Sequence, residues 1–131
     1  MAQKEIELIL MRQCASYLAM PIFVAGSDEN LLYYNEPAEA LLGRRLEEVG
    51  EMPLEELPTM FRLTAEDGSP LPLDAFPLGI ALRQRQPNHR RVRYQALDGT
   101  WRMVDVTAFP LEGQGGRYLG AVAIFWEVED P

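Results

Sequence analysis

The stretch WRMVDVTAFPLEGQGGRYLGAVAIFWEV, residues 101–128, decides the fold. It reads as two β-strands, Trp101 to Leu111 and Tyr118 to Val128, joined by a turn over Glu112-Gly113-Gln114-Gly115-Gly116 where glycine supplies positive φ. A third strand, Val92 to Leu97, precedes them across Leu97-Asp98-Gly99-Thr100, and Asp-Gly between β-branched and aromatic residues is a strong hairpin signal. The last two strands are apolar on both faces. Val104, Val106 and Ala108 alternate with Trp101, Met103 and Phe109, and Ala121, Ala123 and Phe125 alternate with Val122, Ile124 and Trp126. An antiparallel strand with one face in water alternates apolar with polar, so this sheet is expected to be covered on both sides.

Working outward, Ile22-Phe23-Val24-Ala25 and Leu31-Leu32-Tyr33-Tyr34 read as a hairpin over residues 26–30. Asn35 then caps a short helix, with Pro37 in its first turn and Gly43 as its stop after Ala38, Leu41 and Leu42. Residues 44–74 are rich in Pro and Glu, with short helical turns around Leu54 to Leu57. A longer helix is expected from about Asp74 to Gln84, burying Phe76, Ile80 and Leu82, with Pro77 in its first turn. At the other end, residues 3–19 have helical periodicity. Ile6, Leu10, Cys14 and Tyr17 form one stripe, Leu8, Met11, Ala15 and Leu18 its neighbour, and Pro21 ends the run. Two apolar stripes exceed one contact surface; one suits the chain's own sheet and the other a second copy.

Composition narrows the function. The 131 residues suffice for one domain with one core, and 47% hydrophobic content excludes wholesale disorder. No apolar run reaches the ~18–20 residues that span a bilayer. Glu5 and Glu7 stand where a secretion signal carries positive charge, and the lone Cys14 suits a reducing compartment, so a cytoplasmic location is expected. A net charge of −8 argues against nucleic acid. The basic residues nonetheless gather at Arg83, Arg85, His89, Arg90, Arg91 and Arg93, with no acid between Asp74 and Asp98. That run reads either as a solvated helix end and strand face or as a site for an anion or acidic partner.

Four segments, in order, resemble the PAS domain family over nearly the whole chain after the first helix. Pro21-Ile22-Phe23-Val24 with Leu32-Tyr33-Tyr34-Asn35, Ala38 and Leu42-Gly43 resembles the family's first hairpin and Asn-x-x-Ala helix. Asp67 to Pro72 with Pro77-Leu78 resembles the lead into its long helix, Asp98 to Leu111 its penultimate strand, and Gly120 to Phe125 its last. Where the family often ends in Asp-Ile-Thr, this chain has Glu127-Val128-Glu129. The resemblance implies an α+β domain over residues 21–129: a five-stranded antiparallel sheet with short helices on one face. The amphipathic helix of residues 1–20 would lie on the other.

It also implies a pocket between the long helix and the inner sheet face. Phe76, Ile80, Val104, Val106, Ala108 and Phe125 would line it, with Tyr94 and Asn35 as polar handles. Trp101, Ile124 and Trp126 would face outward and, with Ile6, Leu10 and Tyr17, form a homodimer interface. Flavin-binding members carry an Asn-Cys-Arg-Phe-type motif on a central helix. Here Cys14 lies elsewhere, and Tyr94, Val104 and Phe125 stand where flavin-reading amides would be. Haem-binding members use a His on or near the long helix; His89 reads instead as a surface residue at a strand start. No ligand spacing for a metal exists, so no cofactor is expected. No Ser/His/Asp set, helix-opening phosphate loop or apolar carboxylate pair is present, and no catalysis is expected. The reading is a sensory and signalling module that binds a small, mainly apolar ligand and signals through dimerisation or through docking on a kinase or transcriptional regulator. The alternative is a pure protein–protein interaction module with a filled core.

Overall fold

A computed structural model describes residues 20–42, 52–56, 62–95 and 99–128. The helix expected over residues 3–19, with Ile6, Leu10 and Tyr17, lies outside them. Strand β1 (Ile22–Gly26) and strand β2 (Asn30–Tyr34) form the first hairpin. Helix α1 (Glu36–Leu42) follows, then the two-residue strand β3 (Met52–Pro53), a 3₁₀ turn at Leu54–Glu56 and strand β4 (Leu63–Ala65). A second 3₁₀ turn, Leu73–Ala75, leads into helix α2 (Pro77–Gln84). Strands β5 (Asn88–Gln95), β6 (Trp101–Glu112) and β7 (Tyr118–Val128) complete one antiparallel sheet in the order β3-β2-β1-β7-β6-β5-β4.

The sheet has seven strands, not five. The two additions are edge strands of two and three residues within the Pro- and Glu-rich stretch, too short to show periodicity. The expected antiparallel α+β architecture is otherwise present. Strand β7 spans the range expected and lies in the centre, paired with β1 (Phe23 opposite Ala123) and with β6 (Val106 opposite Phe125). Its two apolar faces pack into two different clusters. Its inner residues Ala121, Ala123 and Phe125 join the main core with Val104, Val106 and Ala108 of β6. Ala38 of α1 and Leu78, Ala81 and Leu82 of α2 belong to the same cluster, so both helices lie on the inner face. On the opposite face, Ile22, Val24 and Val122 form a second cluster against Tyr33, Phe109, Leu111 and Ile124.

Two boundaries lie three or four residues from the sequence expectation, for local reasons. Helix α2 begins at Pro77 rather than Asp74. A residue before proline is sterically driven out of the α region, and Phe76 is extended (φ −87°, ψ 136°), so the helix cannot propagate back through it. It ends where Arg85 turns left-handed (φ 55°). Strand β5 starts at Asn88, four residues early, because His89, Arg90 and Arg91 pair with Thr107, Val106 and Asp105 of β6. Their polarity reads as loop, but their partners make them strand.

Candidate functional site

Alternation along the strands sets the inner face. Tyr94, Val104, Val106, Ala108 and Phe125 all point inward, none more than 3% exposed, and Phe76 meets them from the segment before α2. Six of the eight residues expected around a pocket are therefore gathered in one cluster. Ile80 is not in it. The buried stripe of α2 runs through Leu78, Ala81 and Leu82, and Ile80 falls off that stripe and is half-buried. The sequence reading missed Phe23 and Tyr34, which face each other across the first hairpin. Their rings lie 5.4 Å apart, Phe23 stands 4.8 Å from Phe125, and Phe76 stands 6.3 Å from Phe125, all tilted. Aromatic pairs favour such offset and tilted geometries at these separations. The four rings occupy the middle of the inner face.

Both expected polar handles are engaged within the protein. The Asn35 side-chain oxygen accepts from the backbone N–H of Ala38 (3.2 Å), capping α1, and from that of Ile22 (3.1 Å) at the start of β1. Its amide nitrogen donates to the Met20 carbonyl (2.8 Å). The Tyr94 hydroxyl donates to Glu127 Oε1 (3.0 Å), which also accepts from Arg102 (3.3 Å). Tyr94 thus joins β5 to the end of β7.

The outer face is different. Trp101 is 44% exposed and Trp126 36%, while Ile124, Tyr33, Phe109 and Leu111 are half-buried. The His89 ring lies 6.0 Å from that of Trp126, and its Nδ1 is 2.9 Å from Thr107 Oγ1. Arg91 donates to Asp105 (3.0 Å), a hydrogen bond that holds the Asp105 carboxyl below the usual carboxylate range.

The basic run from Arg83 to Arg93 disperses into separate contacts. Arg83 bridges Glu29 (3.0 Å), Asp74 and Glu55 (3.5 Å), tying the β1–β2 turn to the two 3₁₀ turns. The hydrogen bond from Arg83 lowers the Glu29 pKa. Arg85 stacks over Tyr118 at 4.4 Å, Arg90 donates to the Ala75 carbonyl (3.1 Å), and Arg93 lies 5.1 Å over Trp101. Tyr118 donates to the Leu82 carbonyl, and burial pushes its phenol up to about 12. Among the described residues no group of His, Cys, Asp and Glu could hold a metal ion, and no helix is long and apolar enough to cross a membrane.

The PAS domain family matches residues 19–130. No curated protein matches the sequence. Among solved structures, the PAS domain of BvgS from Bordetella pertussis superposes with a TM-score of 0.66 at 16% identity, over 95% of this chain and 87% of that one. The Rhodobacter sphaeroides LOV protein gives 0.71 at 12% identity, over 95% and 69%. The PAS domain of the fruit-fly ELK potassium channel gives 0.70 at 10% identity, over 92% and 96%. At these identities the likeness is one of fold.

Proposed function

The chain belongs to the PAS domain family, and on that premise we propose that it is a non-catalytic signalling module working by association through the outer face of its sheet. The observation that carries this reading is the asymmetry between the two faces. The inner face is filled by Phe23, Tyr34, Phe76 and Phe125, all at most 2% exposed, whereas the outer face leaves Trp101 and Trp126 partly in water beside half-buried Ile124. Burying a large apolar side chain contributes ~1.5–3 kcal/mol, so a few such contacts decide an association equilibrium. The partner is a second copy of the chain, one stripe of the expected helix over residues 3–19 contributing Ile6, Leu10 and Tyr17. A signalling protein would use the same face.

Sedimentation of the full chain at micromolar concentration tests this. A dimer that Trp126→Ala weakens is expected; a monomer, unchanged on deleting residues 1–19, would refute it. One observation favours a second reading, a core that admits a small apolar ligand. Ala108 sits opposite Ala123, with Ala121 two residues along, leaving small side chains in a row on the inner face. A non-denaturing mass spectrum heavier than the chain alone would support that reading over the first.

A further inference from the structure

At the β4 edge lies a cleft of about 480 Å³, lined by Glu55, Arg62, Leu63, Thr64, the 70–73 segment and Trp101. That volume lies within the range typical of small-molecule sites, which combine apolar walls with a few convergent polar groups. The Thr64–Pro70 bridge links edge strand to incoming segment, and Leu63, Leu71 and Leu73 supply buried apolar surface at 4–7% exposure. Trp101 offers a large ring that is 44% exposed.

Two cationic side chains stand at this cleft, Arg62 on its wall and Arg93 over Trp101. Acids outnumber bases 20 to 12, and Arg83, Arg91 and Arg102 each pair with a carboxylate. Among the described residues Arg62 does not: its guanidinium donates to the neutral side chain of Gln95 (3.1 Å). Arg93, stacked on Trp101, has no carboxylate partner among the described residues either. Glu55, the one acid among the described residues that line the cleft, lies 3.5 Å from Arg83. Arg62 also holds a left-handed backbone (φ 54°), which costs a residue with a Cβ. Such outliers persist where surrounding structure enforces them and concentrate at ligand clamps.

We propose that this cleft binds a small monocarboxylate with an aromatic or branched aliphatic body. Arg62 receives the carboxylate through its planar fork of donors, a geometry suited to carboxylate oxygens. The apolar body lies between Trp101 and the Leu71–Leu73 segment. The cleft shares Trp101 with the proposed association face and Leu63, Leu71 and Leu73 with the margin of the main core, whereas Arg62, the residue the test varies, belongs to neither.

Phenylacetate is the probe and phenylacetamide its neutral counterpart, each titrated into the full chain and followed by amide NMR shifts. Phenylacetate is expected to saturate below about 10 mM, with shifts confined to Leu63, Thr64, Leu71, Leu73 and Trp101. Phenylacetamide and the Arg62→Gln protein should each bind about tenfold more weakly or worse, a loss equal to one paired charge. Arg62→Lys, which keeps the charge without the fork, should fall between. Three results would overturn the proposal: no saturation, equal binding of acid and amide, or shifts centred on Ala108 and Phe125. Unchanged binding by folded Arg62→Gln protein would overturn it too.

Discussion

Asn35 ties three segments with one amide: the Met20 carbonyl, the first N–H of β1 and the N-terminus of α1. Removing a helix cap costs ~1 kcal/mol, and orphaning a buried backbone group adds ~1–3 kcal/mol. Asn35→Ala should therefore lower stability by about 2–4 kcal/mol in urea denaturation; a change within about 0.5 kcal/mol, the range of ordinary surface substitutions, would contradict this role. The cap was legible because Asn before Glu-Pro-Ala is a local signal. The bonds to Met20 and Ile22 were not, since they join residues 13 and 15 apart in sequence. Tyr94 shows the same limit: alternation told which way it points, but only the fold shows Glu127 waiting for its hydroxyl. Tyr118 makes a pH prediction. Its phenol is held up to about 12 mainly by burial, so the proton is bound more tightly folded than unfolded. The stability this contributes is complete below the unfolded phenol pKa of ~10 and is lost as pH rises toward 12. The 295 nm absorbance difference between parent and Tyr118→Phe should show a tyrosine titrating near pH 12; a midpoint near 10 would contradict the burial.

Among the elements, α2 and β7 are each positioned by a close approach that only glycine allows. A Cβ on Gly79 would stand 2.0 Å from the Leu73 carbonyl oxygen, and one on Gly120, at φ 150°, 2.0 Å from that of Ala25. In an open helix Gly→Ala stabilises by ~1 kcal/mol. At Gly79 the contact is with backbone, so overpacking of ~1–3 kcal/mol outweighs propensity, and Gly79→Ala should melt lower than the parent. Gly120→Ala should do the same by separating β7 from β1. A raised melting temperature in either would contradict the packing described. Strand β7 was legible because its eleven-residue, mostly apolar run begins just after a glycine turn. Strand β4 was not: three residues, Leu63–Ala65, carry no period, and they exist because Leu63 and Ala65 find Tyr94 and Val92 opposite. The same cause hid the cleft, since its walls come from Arg62, Leu71 and Trp101, segments that sequence spacing does not bring together.

Across the whole molecule, the sheet separates a packed side from a side with partly exposed tryptophans. The inward set Val104, Val106, Ala108 and Phe125 followed from alternation together with the family resemblance. What alternation could not tell was how full the space between them is. That depends on Phe23 and Tyr34, which arrive from the far end of the chain, Phe23 meeting Phe125, which in turn lies against Phe76. Ion pairs add a pH dependence at this scale. Glu29, held by Arg83 below its ordinary pKa, binds its proton more tightly unfolded. The clamp's stability is therefore present above the unfolded carboxylate range and lost as pH falls through the folded pKa. Arg83→Gln should flatten the acid limb of a stability–pH curve; an unchanged limb would mean the clamp adds nothing. The central claim is that the inner face is closed by side chains and that the protein acts through its outer surface. Ala108 is fully buried opposite Ala123, and its replacement by Leu tests the claim most directly. In a filled core the added carbons overpack, so a melting temperature lowered by the equivalent of ~1–3 kcal/mol is predicted. An unchanged or raised melting temperature would reveal open space beside Ala108 and contradict the account.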